Sequence, residues 1–477
     1  MRKSSTLLYA LVIYLLAIPF ASEVLGQDGT IDASFVTSQF NSHVRVIKVL
    51  SDKKIIVAGE FTSYNGTTVN RIARLNEDGS LDATFNPGGT GANSTIHAVE
   101  IQEDGKILIG GSFFTYNGEG TNRLARLNAD GTFDNTFNIG GGFNNTIYAI
   151  AIQNDTKIVV GGAFTVFNNG SINRIARLTA AGSKDDTFVV TTALNGEPRA
   201  IIIQPDQKIL VSGLFSTYNG AAAQGIVRIN ADGSKDNILN SSTGTNAEVW
   251  TMALQPDGKI ILGGSFTKYK GISKNYLVRI NSDGTIDNTF AMGSGADVVG
   301  IRCVALQNDG RIIIGGEFNT FNGNLEKYLS RLNADGTDDP TFNFEVGPNL
   351  PVFAATLDAD NKILIGGYFL LYDDVEHPHL VRLNGSSTSI AGVTDIEFNK
   401  VFKLFPNPAL SNITIELPES NDRTELKLFS ITGTLKKSII LVNTMSQVDI
   451  KDLQEGIYFY EVWQHETKRM EGKLIVN

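Results

Sequence analysis

The sequence predicts an all-β protein, a seven-bladed β-propeller closed by its N-terminal strand and followed by a small immunoglobulin-like β-sandwich. Three observations carry this prediction. Seven near-copies of one pattern run along the chain, and no stretch within them keeps apolar residues at the i, i+3, i+4 and i+7 spacing of an amphipathic helix. Near residue 384 the repeat stops, and short alternating segments of a different pattern follow it.

The repeat has a constant length. Each copy contains a glycine two residues before a phenylalanine, at Gly59, Gly111, Gly162, Gly213, Gly264, Gly316 and Gly367. Consecutive markers are 51 or 52 residues apart. Such a period, near the upper end of the range for propeller blades, indicates stacked identical units rather than unrelated domains. The propeller is therefore assigned to residues 27–384.

The second copy shows how one blade is predicted to fold. Residues 96–102 alternate and read as a strand, an Asp-Gly turn follows, and residues 107–113 form the next strand. A longer loop leads to residues 123–128, where basic and apolar residues alternate, which predicts a half-exposed third strand. A second Asp-Gly turn leads to a short fourth strand around Phe137. Four antiparallel strands in about 51 residues are typical of a propeller blade.

The two ends of the repeat region complement each other. The last copy ends at Asn384 without the segment Asp-Gly-x-x-Asp-x-Thr-Phe, and residues 28–35 near the N-terminus have a closely similar pattern. We expect this N-terminal segment to supply the missing strand of the seventh blade. Ring closure of this kind removes the open edges between first and last blades.

The N-terminus is typical of a secretory signal peptide, residues 1–26. Arg2 and Lys3 precede an apolar run over residues 7–20, and small residues surround a cleavage point after Gly26. A membrane anchor is the weaker alternative, because the run is shorter than the roughly 20 residues needed to span a bilayer. We expect no transmembrane segment in the mature chain. A single cysteine, Cys303, excludes an internal disulfide framework.

Charge limits the classes of partner. The chain has 40 basic and 50 acidic residues, for a formal net charge of −10. An acidic chain is a poor ligand for nucleic acid or for an anionic membrane surface. We expect a monomeric protein with an extracellular ligand and no nucleic-acid partner.

The repeat resembles the delta-60 repeat family over residues 28–384. The matching motif is Asp-Gly-Lys-Ile-Leu-Ile-Gly-Gly-x-Phe, followed by Arg-Leu-Asn-x-Asp-Gly-x-x-Asp. This β-propeller-like repeat is common in bacterial surface and secreted proteins. The resemblance implies an architecture and carries almost no biochemical function with it.

A separate C-terminal module is predicted. Residues 385–399 are interpreted as a linker that begins with the flexible sequence Gly-Ser-Ser-Thr-Ser, and residues 400–477 as a β-sandwich of short alternating strands. The order of the segments is similar to the type A sorting domain of the type IX secretion system of Bacteroidota. The motif residues are Pro406, Asn407, Pro408, Gly433, Gly456 and Tyr458.

That resemblance implies a route of export. The signal peptide would carry the chain to the periplasm, and the outer-membrane translocon would recognise the C-terminal domain. In this family a sortase-like protease commonly removes the domain, and the passenger is released or attached to the cell surface. An ordinary immunoglobulin-like binding module is the alternative.

Signals of catalysis are scarce. The chain contains no Gly-x-Ser-x-Gly, His-Glu-x-x-His or phosphate-binding glycine loop, and nothing pairs a nucleophile with a base. We therefore predict no catalytic residue, no cofactor and no enzyme activity. The alternative is a polysaccharide-acting hydrolase or lyase that uses acidic residues on the loop-rich face.

One loop of the last repeat departs from its copies. It holds five possible metal ligands within seven positions: Asp373, Asp374, Glu376, His377 and His379. A transition-metal site is conceivable there, but no second ligand cluster is identifiable and Pro378 restricts the geometry. A solvated acidic loop is the favoured interpretation.

The repeated acidic turns invite a comparison with calcium loops. Residues 76–82 overlap part of an EF-hand-type loop, but Arg74 falls on the first ligand position and would oppose a cation. These aspartates are therefore interpreted as turn-forming residues.

The predicted binding site lies where the copies differ. The Asp-Gly hairpins share one face of the disc, so the longer, variable connections share the opposite face, where specificity is usually placed. The innermost strands begin on that face, and their second residues form what we call the rim: Arg45, His97, Tyr148, Arg199, Trp250, Arg302 and Phe353. Three cations and three aromatic residues at a channel mouth would suit an anionic ligand or a sugar. The alternative is that they only plug the channel.

Together these features predict a secreted or cell-surface binding or adhesion protein, exported by the type IX system, whose ligand is a glycan, peptide or surface polymer. A purely structural surface protein is a further alternative.

Overall fold

The computed structural model describes residues 27–385 apart from 37–38, 240–242 and 343, and residues 403–405, 409, 411–416, 424–430, 434–441, 445–454, 456–464 and 467–476. The predicted signal peptide and nearly all of the predicted linker lie outside these residues. Two compact units divide the chain, Met1–Ser387 and Thr388–Asn477, and each is described by itself. Within the described residues no helix is long and apolar enough to cross a membrane.

Seven three-stranded antiparallel sheets form the first unit, one for each blade, which confirms the prediction of an all-β propeller. The inner strands are Val44–Val49, Ile96–Ile101, Ile147–Ile152, Glu197–Ile203, Val249–Leu254, Ile301–Leu306 and Val352–Leu357. The middle strands are Ile55–Gly59, Ile107–Gly111, Ile158–Gly162, Ile209–Leu214, Ile260–Gly264, Ile312–Gly316 and Ile363–Gly367. The outer strands are Ile72–Leu75, Leu124–Leu127, Ile175–Leu178, Ile226–Ile229, Leu277–Ile280, Leu329–Leu332 and Leu380–Leu383.

The inner strands of neighbouring blades contact one another around the ring, including those of blades one and seven. Apolar clusters join adjacent blades: Phe113 of blade two, for example, packs in one core with Ile56 and Ile72 of blade one. The burial of these side chains between blades is the main force that stacks them.

A short hairpin, which the sequence analysis treated as loop, follows each middle strand. Each hairpin has two strands of two residues: Ser63–Tyr64 with Thr67–Thr68, Thr115–Tyr116 with Glu119–Gly120, Val166–Phe167 with Gly170–Ser171, Thr217–Tyr218 with Ala221–Ala222, Lys268–Tyr269 with Ile272–Ser273, Thr320–Phe321 with Asn324–Leu325, and Leu371–Tyr372 with Val375–Glu376. In blade two, Asn117 and Gly118 have φ values of 51° and 85°, as a type I′ turn requires.

The predicted fourth strand around Phe137 is wrong. The chain makes only a one-residue bridge to the outer strand, between Leu127 and Phe133 in blade two, and Phe137 itself is buried against Arg126. The segment turns inward after the bridge because the Asp134 carboxylate binds Arg126 and the backbone N–H of Thr136.

The outer strand is buried rather than half-exposed. Arg126 is only 8 % exposed. Its Nε lies 2.6 Å from Asp134 Oδ2, and its Nη1 donates to the carbonyl of Ala180 in the next blade at 2.6 Å. A buried guanidinium is tolerated because its charge is paired and its N–H groups are bonded. The prediction of a half-exposed third strand is therefore wrong.

The same buried ion pair, which we call the clasp, occurs in all seven blades. Its members are Arg74–Asp82, Arg126–Asp134, Arg177–Asp185, Arg228–Asp236, Arg279–Asp287, Arg331–Asp339 and Arg382–Asp32. A second cation approaches each carboxylate, such as Lys106 at 2.9 Å from Asp134. Burial tends to raise the pKa of Asp134, but hydrogen bonds from Thr136 and the two cations outweigh it and lower the pKa overall.

The N-terminal segment joins the last blade through one of these clasps. Ile31 forms a β-bridge with Leu383, and the backbone N–H of Gly29 donates to the carbonyl of Asn384 at 2.8 Å. Arg382 of the last outer strand binds Asp32 at 2.8 Å. Residues 29–32 thus occupy, in blade seven, the place that residues 131–134 occupy in blade two.

In five of the seven blades, paired glycines near the end of the middle strand permit close contacts; blades one and four have Ala58 and Ser212 at the first of the two positions. A Cβ atom at Gly111 would lie 2.2 Å from the carbonyl oxygen of Thr95 on the inner strand, and one at Gly110 would lie 2.7 Å from Ile147 of the next blade. The second glycine therefore allows the close approach of two backbones, and the first allows the next blade to pack.

The C-terminal unit contains two antiparallel sheets. One contains Lys403–Phe405, Asn412–Glu416 and Met445–Asp449, and the other contains Leu435–Leu441, Thr424–Ser430, Gly456–Gln464 and Thr467–Val476. Apolar side chains from both sheets, including Ile413 and Leu426, share one core. This is the two-layer arrangement of a β-sandwich.

Candidate functional site

The rim residues share one structural position, a β-bulge at the start of each inner strand. In blade one Val44 pairs with Gly59 and Val46 with Ala58, so Arg45 between them has no partner on the middle strand. The register shifts at the same place in the other six blades. All seven rim side chains are half-buried, and the residue before each is buried. Bulges re-aim a side chain out of the ladder and are frequent next to functional sites.

Three cation–aromatic pairs link neighbouring blades along the rim. The Arg302 guanidinium lies 3.4 Å from the ring centre of Trp250, Arg199 lies 4.1 Å from that of Tyr148, and Arg45 lies 4.9 Å from that of Phe353. His97 meets Tyr148 edge-on at 5.4 Å. The structure thus places all seven predicted rim residues in equivalent positions, and each of them contacts at least one other member of the rim.

Each rim arginine also binds a carboxylate that the sequence analysis did not include. Arg45 Nε donates to Glu60 at 2.7 Å, and Arg302 Nε donates to Glu317 at 2.6 Å. Arg199 binds two glutamates, Glu197 at 3.1 Å and Glu248 at 2.5 Å. The cations are therefore already neutralised, so an anionic ligand would have to compete with these glutamates.

The histidine of the rim is not a fourth cation. Burial, reinforced by Arg45, lowers the pKa of His97 to about 4. Its Nε2 lies 3.2 Å from the hydroxyl of Ser112. His97 is consequently a neutral, hydrogen-bonding member of the rim at physiological pH.

The acidic loop of the last blade has local structural contacts. The Asp373 carboxylate accepts hydrogen bonds from the N–H groups of Val346 and Gly347. The side chain of His377 is buried, and His379 Nδ1 lies 3.0 Å from the carbonyl of Gly367. Asp374 and Glu376 are exposed. Across the described ranges, no three histidine, cysteine or acidic side chains form a metal-ligating group.

Of the predicted sorting motif, Pro406, Asn407, Pro408 and Gly433 lie outside the described residues. Gly456 begins a strand. Tyr458 is buried, and its hydroxyl donates to the carbonyl of Gln454 at 2.9 Å.

Among the cavities of the described propeller, two lie between neighbouring blades. One, about 510 Å³, lies between blades four and five on the variable-loop face and is lined by Leu214, Phe215 and Gly225, among others. The other, about 710 Å³, lies between blades two and three on the face of the Asp-Gly turns, which we call the hairpin face, and its lining includes Glu103 and Asn154. The sequence analysis missed both. The first had a detectable signal, because Gly225 occupies a position where the other six blades carry arginine, tyrosine or histidine.

Comparison with known proteins agrees with this architecture. A family model described as a domain of unknown function (DUF5122) β-propeller matches residues 50–85, 102–137, 153–188, 204–237, 255–290, 307–342 and 359–389, about half of the chain. A secretion-system C-terminal sorting domain matches residues 403–477.

One curated relative is BigA of Salmonella typhimurium, whose name describes a surface-exposed virulence protein. It is 26 % identical over 277 residues, which make up 56 % of this chain and 12 % of BigA. The chain thus spans about an eighth of that relative.

Solved structures with a similar fold include PorZ, a surface component of the type IX secretion system of Porphyromonas gingivalis. It is 14 % identical, the match covers 91 % of this chain and 59 % of PorZ, and the TM-score is 0.40. A gluconolactonase from Xanthomonas campestris is 12 % identical, with 76 % and 98 % covered and a TM-score of 0.35.

The sorting domain marks the chain for the type IX secretion machinery and for a location outside the cell or on the outer-membrane surface. From its seven repeats, the chain belongs to the DUF5122 β-propeller family.

Proposed function

We propose that the propeller is a binding or adhesion module that recognises a glycan, peptide or surface polymer with its rim. The observation that carries the proposal is the bulge: in all seven blades the ladder is interrupted at a position where cationic and aromatic side chains alternate from blade to blade. An interrupted ladder gives up pairing, so a recurring bulge that aims variable side chains at one channel mouth suggests selection for binding.

The chemistry of the rim favours a polar ligand of low net charge. Arg45, Arg199 and Arg302 are held by glutamates and stacked on aromatic rings. Such pairs offer fixed hydrogen-bonding groups beside flat apolar surfaces, which suit a sugar ring or a peptide plane.

For the C-terminal domain we propose the finer steps of the export route. The outer-membrane translocon recognises residues 403–477, and a sortase-like protease then removes them. Release of the propeller into the medium, or its attachment to the cell surface, follows. Replacement of the domain by an unrelated one should leave the chain in the periplasm.

We propose that the propeller has no catalytic activity. A glycosidase would need two carboxylates across a sugar bond, and two glutamates, Glu197 and Glu248, do lie beside the rim, both bound to Arg199. We infer that these glutamates position Arg199. Release of reducing sugar from a polysaccharide by the wild type, lost in Glu197→Gln and Glu248→Gln, would support the enzyme instead.

A glycan and peptide array probed with the mature chain would identify the ligand class. The test of the rim is then the double variant Trp250→Ala, Arg302→Ala, which removes the closest stacked pair. We expect ligand binding to be abolished with the melting temperature unchanged. Loss of folding alone, or an array without binding, would favour a structural role.

A further inference from the structure

The cavity between blades four and five lies where one side chain is missing. In every blade the residue before the outer strand, which we call the entry position, has a positive φ of 65° to 81°. Six blades place a large side chain there: Arg71, Arg123, Arg174, Tyr276, Tyr328 and His379. Blade four has Gly225.

The backbone at the entry position is the same with and without the side chain. The backbone N–H of Arg71 donates to the carbonyl of Phe61 at 2.9 Å, and the backbone N–H of Gly225 donates to the carbonyl of Phe215 at 2.9 Å. Gly225 therefore lacks the side chain without a change of the backbone at this position, and the Thr245 hydroxyl lies 2.0 Å from where its Cβ atom would be. Phe215 is 7 % exposed, whereas its six equivalents are fully buried, and Leu214 beside it is 53 % exposed.

The arginines at the entry position show which acceptors a guanidinium group finds there. Arg71 and Arg123 each donate from Nη1 to a backbone carbonyl of the middle-strand end, those of Glu60 and Ser112. Arg174 of blade three instead points across to blade four, where its Nη1 lies 4.0 Å from Glu197 Oε1. Three of the seven blades thus have a guanidinium group that extends from the entry position to an acceptor of its own blade or of the next one.

Blade four keeps the acceptors for such a group. Leu214 stands at the position of Glu60 and Ser112, and it lines the cavity. Glu248 of blade five stands at the position of Glu197 and follows Ala247, which also lines the cavity. Glu197 lies between two guanidinium groups, those of Arg174 and Arg199. Within the described part of the chain, the Glu248 carboxylate forms an ion pair with one guanidinium group, that of Arg199.

We propose that this cavity binds a guanidinium group, the arginine side chain of a polypeptide ligand, which replaces the side chain that Gly225 lacks. The ligand arginine pairs with Glu248 and lies over Phe215 and Leu214. Guanidinium is favoured over ammonium because it is planar, stacks on apolar surfaces and binds carboxylates through two N–H groups. The acidic net charge of the chain, −10, also favours a basic ligand. This inference deepens the proposed function, since it assigns a chemical class to one group of the ligand.

The chain itself offers a variant that fills the cavity. A Cβ atom at Gly225 would lie 2.0 Å from Thr245 Oγ1. In blade one, whose entry residue is Arg71, the position equivalent to Thr245 is Ala92, since the N–H of Ala92 donates to the carbonyl of Asn70 as that of Thr245 donates to the carbonyl of Gln224. Gly225→Arg with Thr245→Ala therefore reproduces the pair of blade one, and Thr245→Ala alone is the matched control.

The probe is N-acetyl-arginine amide, titrated into the mature full chain and followed by NMR, with the uncharged N-acetyl-citrulline amide as control. We expect arginine amide to bind the wild type and Thr245→Ala, and citrulline amide not to bind. In the double variant, whose melting temperature checks its folding, the Kd should rise at least about tenfold. Glu248→Gln should weaken binding as well.

Equal binding of arginine amide to the wild type and to the folded double variant would overturn the proposal, as would equal binding of citrulline amide. The Trp250→Ala, Arg302→Ala variant should still bind arginine amide. The cavity and the rim can therefore fail separately.

Discussion

The clasp between Arg382 and Asp32 holds the N-terminal segment on the last blade, and its removal should destabilise the propeller measurably. Arg382→Ala removes an ion pair of 2.8 Å, a hydrogen bond of 2.6 Å to the carbonyl of Glu77 and one of 3.0 Å to the hydroxyl of Ser34. It also leaves the buried Asp32 with Lys362, 3.7 Å away, as its remaining close cation.

Removal of one partner from a buried pair costs about 3–5 kcal/mol, and we expect about 3 kcal/mol because Lys362 compensates in part. At ~2.1 cal/mol/K per residue, a propeller of about 360 residues has an unfolding entropy of ~0.75 kcal/mol/K, so Tm should fall by roughly 4 °C. Calorimetry of the mature chain measures this shift.

The matched control is Arg177→Ala in blade three, which loses an equivalent pair with Asp185 inside a continuous chain. Both variants should lower Tm by similar amounts. Only Arg382→Ala should speed hydrogen exchange in residues 29–32, because only there does the clasp hold a chain end. An unchanged Tm together with unchanged exchange in Arg382→Ala would mean that the clasp does not hold the N-terminal segment on the last blade.

Three further predictions concern titratable groups. Because burial lowers the pKa of His97 to about 4, the unfolded chain binds a proton first, so stability should fall as pH drops from about 6.5 to 4; His97→Phe should flatten the dependence of the urea midpoint on pH, and a slope equal to that of the wild type would contradict this. Burial tends to raise the pKa of Asp185, but hydrogen bonds from Thr187 and the ion pair with Arg177 outweigh it and lower the pKa to about 2. The stabilisation from Asp185 is therefore present above the unfolded pKa of about 3.9 and should disappear between about pH 4 and 2 in acid titrations followed by circular dichroism. A propeller equally stable at pH 5 and pH 2 would be inconsistent with this prediction. Burial raises the pKa of the Cys303 thiol to about 12, so the folded chain should resist thiol reagents at pH 8 and react only when unfolded, as mass spectrometry would show; rapid native labelling would mean that the strand is exposed.

Much of the fold follows from the repeat. The Asp-Gly turns and apolar alternation place the inner and middle strands within a residue or two: 96–102 was expected where Ile96–Ile101 is found. The outer strand was placed correctly, but its exposure was not, because Arg126 suggests a solvated face unless its partner Asp134 is recognised eight residues later. The usual exposure of a single arginine does not reveal that its charge is paired.

The rim was predictable in position but not in chemistry. Its seven residues were found because this position of the repeat varies between cationic and aromatic residues, whereas the neighbouring positions stay aliphatic or small. Their glutamate partners were missed because they come from different columns: Glu60 follows the middle strand, and Glu248 precedes the inner strand of the next blade. The cavity at Gly225 was missed although the aligned copies show one glycine among six large residues, because the sequence does not show that this position lies next to the neighbouring blade.

We place ligand binding on the rim face, and the hairpin face with its larger cavity is the alternative location. Once the array gives a ligand, its Kd should be measured for the wild type, for Trp250→Ala with Arg302→Ala, and for Glu103→Ala with Asn154→Ala, which alters the hairpin-face cavity. We predict that binding is lost in the rim variant and unchanged in the hairpin-face variant. Binding that survives in the rim variant and disappears in the hairpin-face variant would contradict the account.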